Sequence, residues 1–325
     1  MASVAYAGNE TEHLWVTYQL NPAVIVPCPG GASLATCNSI NNTNVRRLFT
    51  VNQYPGASLI ANMDRFDDGG TASYQGLILS VQKRLSQGVS ASANYTWSHC
   101  IGDPGVGNSD GRPGQGLITP TDRHQDRSNC VSQEVGGAFF SSDRRQIFNF
   151  TLVGEAPKFA NRALRKVVTG WQAAGIYRAQ SAPWLTVSMV PPDRQLSGTT
   201  NQRPLQVLPN TLCSHTTSSC WLNPAAFALP ALGTLGTMNR GNIPGPAFWQ
   251  LDLALSRNIR VTEHQRVQLR GEAFNLTNSF RAGVALPNAA AGSSGVSLAL
   301  GSLNFGQITS ALDPRILQLA IKYVF

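Results

Sequence analysis

The chain has 325 residues, a formal net charge of +8, only 13% charged residues and a mean hydropathy of −0.11. Its charged share is about half that of a soluble domain, and its length suits one large β-domain or two ordinary ones. No apolar run reaches the ~18 residues of a membrane helix, which excludes helical spans but not spanning strands. Arg and Lys are dispersed, with Arg162, Arg165 and Lys166 the densest group, so the basic stripe that nucleic acid needs is missing.

Taken in chain order, residues 2–19 read as a long strand with a bulge at Gly8–Thr11, in which Trp15, Thr17 and Gln19 alternate with Leu14, Val16, Tyr18 and Leu20. A long loop, 20–72, is rich in Pro, Gly, Asn and Ser. The second strand, 73–85, puts Leu77, Leu79, Val81 and Leu85 on one face and Ser80, Gln82 and Arg84 on the other. Ser86-Gln87-Gly88 leaves room only for a hairpin. The third strand, 89–99, opposes Val89, Ala91, Ala93, Tyr95 and Trp97 to Ser90, Ser92, Asn94, Thr96 and Ser98.

After a second long loop comes a strand at 143–155, with Phe148, Phe150 and Leu152 on one side. A basic connection, 156–168, is expected to hold one helical turn. The fifth strand, 169–181, opposes Trp171, Ala173, Gly175 and Tyr177 to Gln172, Arg178 and Gln180. A third long loop leads to the sixth strand, 247–258, with Trp249, Leu251, Leu253 and Leu255 against Gln250, Asp252 and Ser256. A turn around Val261–His264 joins the seventh, where Val267, Leu269, Gly271 and Ala273 oppose Gln268, Arg270 and Glu272. The fourth long loop precedes the last strand, 315–325. Leu317, Leu319, Ile321, Tyr323 and Phe325 share one of its faces, and Gln318 and Lys322 the other.

Connections therefore alternate long and short, as in an outer-membrane barrel with short periplasmic turns and long outer loops. The expected fold class is all-β: an antiparallel transmembrane β-barrel wall of about eight strands with long extracellular loops. Arg178, Asp252, Arg270, Glu272 and Lys322 are too costly to face lipid and are expected to face a lumen. The six cysteines lie in or beside loops without CxxC spacing. Their even number points to disulfides and an oxidising compartment, with neighbour pairing (Cys28 with Cys37, Cys100 with Cys130, Cys213 with Cys220) as the expectation. The start of the chain shows no basic and apolar leader, so the sequence reads either as a fragment of a longer polypeptide or as a chain that is not exported.

Motifs for phosphate binding, nucleophile elbows, zinc helices and dinucleotides are absent, and the five histidines are scattered, so neither an enzyme nor a cofactor is expected. His99, Cys100 and Asp103 read as a strand tip entering a polar loop rather than a metal site. Asp122, Arg123, His124, Asp126 and Arg127 read as a solvated loop segment. Asp67 and Asp68 lack the register of a calcium loop.

Several stretches resemble the C-terminal barrel region of Oar-like TonB-dependent receptors. They include Tyr74-Gln75-Gly76-Leu77, Ala93-Asn94-Tyr95-Thr96-Trp97-Ser98-His99, Ser142-Asp143-Arg144-Arg145 and Gly170-Trp171-Gln172. Further along come Asn223-Pro224-Ala225-Ala226-Phe227, Arg240-Gly241-Asn242, Arg270 to Asn278, Phe305 to Ser310 and Asp313 to Phe325. The resemblance implies the C-terminal part of a plugged barrel of ~22 strands. It also implies uptake of an unnamed substrate, energised through a periplasmic partner that meets an upstream part. Contact with outer-membrane lipid follows, and Tyr323 and Phe325 would serve as the signal read by the barrel-assembly machinery. A secreted β-sandwich or adhesin-like module with disulfide-tied loops is the alternative, and a self-contained eight-stranded barrel a further one.

Overall fold

The structure, a computed structural model, describes the chain except residues 104–123, 125–126, 136–137, 142, 158–159, 162–166, 192, 199–201, 264 and 284–294. The basic group Arg162, Arg165 and Lys166 and most of the 156–168 connection lie outside the described residues.

Eight long strands form one antiparallel sheet in sequence order. They are β1 (Ala2–Gln19), β2 (Asp64–Ser86), β3 (Val89–Gly102), β4 (Gln146–Glu155), β5 (Trp171–Gln180), β6 (Phe248–Arg260), β7 (Arg266–Phe274) and β8 (Ile316–Val324). A two-residue strand, Ser128–Asn129, extends the sheet at the end of β3. The β2–β3 hairpin closes through Gln87 and Gly88, whose φ values of 53° and 77° are the positive pair that a type I′ turn requires. Only Gly fits at position 88, because a Cβ there would lie 2.8 Å from the Glu155 carbonyl oxygen.

Two boundaries differ from the sequence expectation. Strand β2 begins at Asp64, so Asp67, Asp68, Gly69 and Gly70 belong to a strand although their propensity opposes it. Pairing with the outer half of β1 supplies the missing drive. The irregularity in β1 falls between Thr11 and Val16, not at Gly8–Thr11, which pair in register with Gln75–Ala72. It sits there because His13 takes φ 57° and Gly70, lacking a Cβ, admits the Leu14 carbonyl.

Register makes the two faces of the sheet chemically opposite. One row runs Val4–Leu79–Tyr95–Phe148–Ala179–Trp249, another Val81–Ala93–Phe150–Tyr177–Leu251, and both are apolar. On the other face Ser3–Ser80–Asn94–Asn149–Arg178–Gln250 are neighbours. Burial is inverted relative to a soluble protein. Trp97, Trp249 and Leu255 are 57%, 39% and 44% exposed, while their chain neighbours Ser98, Gln250 and Ser256 are buried. No second sheet covers the apolar rows among the described residues, which is what a sandwich would require.

The hydrophobic core lies in the loops instead. Leu185, Val187, Leu222, Ala226, Phe227, Met238, Ile243, Val296 and Phe305 form it, all from the third (181–247) and fourth (275–315) long connections. Short pairings knit these loops: 188–189 with 299–300, 205–206 with 227–228, and 184–185 with 243–244. The first loop (20–63) joins through Ala23 N donating to the Ser197 carbonyl and through buried Arg46, which donates to the carbonyls of Val24, Ser39 and Leu196. Burial pulls the Arg46 guanidinium below its usual pKa, with Asp193 opposing. The long connections thus form a cap at one end of the sheet.

Candidate functional site: a polar wall beneath a loop cap

On the polar face, the five charged residues singled out from the sequence fall into three groups. Arg178 meets Asp252 at 3.4 Å. Arg270 meets Glu272 at 2.5 Å. Lys322 stands across from Gln268 on the same face, further toward the short-turn end. Two-residue spacing alone accounts for these placements.

Sequence reasoning missed the residues that fasten the cap to this wall. Asp252 also accepts from Gln250 Nε2 at 2.6 Å and from the Asn275 backbone N–H at 2.8 Å. Arg281, from the fourth loop, is 6% exposed; it donates to Gln250 Oε1 and the Asp313 carbonyl and lies 5.9 Å over the Phe248 ring. Burial lowers its pKa, with Asp252 and Asp313 opposing. Nothing local in the sequence marks Arg281; Asn275, which takes φ 50°, lies within the resembling stretch Arg270 to Asn278 but was given no role.

A second fastening joins β3 to the second and third loops. Asp143 accepts from the Cys100 N–H, Arg145 Nε and Trp184 Nε1, at 2.8, 3.0 and 3.0 Å. Arg145 continues to His99 and Asn129, and Asn129 donates to the Gly241 carbonyl. Asp103 accepts from the Thr71 N–H, from Arg127 and from His124 Nδ1, the last at 2.8 Å. His124 and Arg127 therefore pair with a buried carboxylate, where a solvated segment was expected. Their partner is about 20 residues away in sequence and gives no local signal. Asp122, Arg123 and Asp126 lie outside the described residues.

The cysteines bond as neighbours: Cys28 with Cys37, Cys100 with Cys130 and Cys213 with Cys220. All three are at the cap end. Among the described residues no group of three His, Cys, Asp or Glu side chains could hold a metal ion. Asp68 lies 3.4 Å from His13, and Cys100 is committed to its disulfide.

An all-β sheet with one apolar and one polar face, capped at one end, is the geometry of a membrane barrel wall. Residues 1–318 match the model of a family described as outer membrane beta barrel domain. The chain belongs to the outer membrane beta barrel domain family. No curated protein and no solved structure gives a significant match.

Membership in this barrel family implies an outer-membrane location, and it gives the aromatic rows a physical meaning. Near the cap, Tyr95, Phe148, Tyr177 and Trp249 line one groove on the apolar face, with ring centroids of neighbouring pairs 6.1 and 6.2 Å apart. At the other end, Trp171 carries the Arg257 guanidinium 5.4 Å over its ring, and Tyr323 and Phe325 stand 6.1 Å apart. On β6 the rows at Trp249 and Arg257 are separated by about eight residues, or ~27 Å along the strand. At a barrel tilt of ~40° that projects to ~21 Å, close to the ~25 Å apolar band between the aromatic girdles of such barrels.

Proposed function

We propose that this chain is the C-terminal part of the wall of an Oar-like TonB-dependent receptor, taking part in substrate binding and uptake across the outer membrane of a Gram-negative-type bacterium. The observation that carries the reading is the apolar band between two aromatic rows, backed by a polar face and capped by folded loops. The apolar band faces lipid, and Arg178, Asp252, Arg270, Glu272 and Lys322 line the lumen. The cap meets the substrate first, and the chain's part is binding and passage, with no catalytic step. An upstream part of such a receptor would hold the plug and reach the periplasmic energising partner.

The receptor identity finds support in the sheet order, which among the described residues leaves one edge of β1 and one edge of β8 without a partner. Strand edges of this length are covered in a finished barrel, as the further strands of such a receptor would cover these. The deciding experiment refolds the chain in detergent and compares unboiled with boiled samples on a denaturing gel, with far-UV circular dichroism alongside. The expected result is β signal without a heat-dependent shift, and aggregation once detergent is removed. A heat-dependent shift would mean that the eight strands close alone. A folded product soluble without detergent would sink the membrane reading altogether.

Tyr323 and Phe325 end the final strand as the signal for the barrel-assembly machinery. Removing Phe325 from the full-length protein is expected to lower its membrane yield several-fold. An unchanged yield would remove that role.

A further inference from the structure

We propose that the polar wall carries an oxyanion site at its short-turn end, built from Arg260, Arg266 and Lys322. The site rests on reading this face as lumenal, and it gives the substrate a chemical class: a small solute bearing several phosphate or carboxylate groups. Three observations carry it.

The first is register. Arg260 stands directly opposite Arg266 in the β6–β7 pair. Like charges so placed repel and destabilise the pair. Lys322 is opposite Gln268, one polar-face position along from Arg266. The strand repeat and spacing put the Lys322 and Arg266 backbones about 8 Å apart, within a Debye length of ~8–10 Å.

The second is the lack of a counter-charge. Glu272, the acid on this part of the face, is taken by Arg270 at 2.5 Å. Among the described residues, the side chains of Arg260, Arg266 and Lys322 form no ion pair or hydrogen bond. Neither Glu263 in the adjoining turn nor the carboxylate at Phe325 pairs with them.

The third is space. Of the three cations only Lys322 lines a cavity of about 400 Å³ on this face, with Gln268, Arg270, Glu272, Gln318 and Ala320, while the Arg260–Arg266 pair lies one polar-face position beyond it toward the short turn. The Gln268 amide, opposite Lys322, offers neutral N–H donors beside the cations. A multivalent oxyanion at the turn-side rim of this cavity, between Lys322 and the Arg260–Arg266 pair, relieves the repulsion and gains charge-assisted hydrogen bonds. A monovalent ion could neutralise only one of three separated charges.

The test titrates the full chain, folded in detergent, with tripolyphosphate by calorimetry. Saturable binding is expected, weakening at least ~10-fold as salt rises from about 20 to about 300 mM, because the charges are solvent-facing. The triple variant Arg260→Gln/Arg266→Gln/Lys322→Gln should bind at least ~10-fold more weakly, whereas Arg260→Lys/Arg266→Lys, which keeps the charges, should stay within ~3-fold. Equal far-UV spectra for all three proteins guard against a folding defect. Binding by the triple variant as tight as by the parent would overturn the site. So would a parent that takes up a Glu-rich peptide but not tripolyphosphate. If the chain needs detergent yet shows no such binding, the site falls and the wall reading stands. If it is soluble without detergent and still loses binding in the triple variant, the site stands and the lumenal reading falls.

Discussion

Leu253→Arg is expected to destabilise the membrane-inserted barrel by about 2–4 kcal/mol, while Ala254→Arg costs about 1 kcal/mol or less. The two residues are chain neighbours on β6, so strand propensity and distance from the turn are nearly the same for both. What differs is the face. Leu253 lies midway between the aromatic rows at Trp249 and Arg257, with Gly175 and Ala273 beside it and 39% of its surface exposed. A guanidinium there meets hydrocarbon, at a depth too great for its stem to reach either girdle cheaply. Ala254 stands opposite Glu272 on the polar face, where a new cation finds water and a carboxylate. Denaturant titrations of both variants in lipid vesicles measure the difference, which corresponds to roughly a 5- to 1000-fold gap in the folding constant. Equal losses would mean that the two faces meet the same solvent, and the barrel reading would fail.

The strands were legible in the sequence because each carries a stretch with a period of two. Trp249, Leu251, Leu253 and Leu255 need no tertiary information to be assigned to one face. The order of the sheet followed from the alternation of long and short connections. The first nine residues of β2 were not legible. Asp67-Asp68-Gly69-Gly70 looks like a turn, and it becomes strand only because β1 is long enough to pair with it. The placement of Asp252 and Arg178 on the polar face came from period and burial cost together, but their ion pair did not. Arg281 did not, because it reaches the wall from a loop without periodicity, and its neighbours Gln250 and Asp313 are 31 and 32 residues away.

The loop core was illegible for a related reason. Leu222, Ile243 and Phe305 lie in apolar islands of one or two residues within polar, Gly- and Pro-rich sequence. No face can be read from them until the loops are folded together. Yet they belong to the main apolar core among the described residues, while the strands, whose pattern was so plain, add only a small cluster at Val16 and Leu20. The wall and the cap therefore draw on different sources of stability. The wall depends on backbone pairing in a medium without water, where unpaired N–H and C=O groups are costly. The cap depends on ordinary apolar burial in water.

That division predicts the behaviour of Leu222→Ala. Leu222 is fully buried, and its backbone N–H donates to the Gly306 carbonyl at 3.0 Å, joining the third loop to the fourth. Gly306 takes φ 78°, and a Cβ on it would lie 2.7 Å from the Leu222 carbonyl oxygen, so the two backbones are in close contact. Removing the Leu222 side chain leaves a void that this tight backbone cannot collapse to fill, a loss of about 2–5 kcal/mol for the cap. Hydrogen exchange at Leu222, Ser297 and Ile308, whose N–H groups all bond within the cap, should accelerate roughly 30-fold or more. Exchange in β4 to β7 should hardly change, because Leu222 touches no apolar row of the wall. Acceleration spread equally through the strands would show that cap and wall unfold as one unit, and the apolar face would then owe its order to the loops rather than to the membrane.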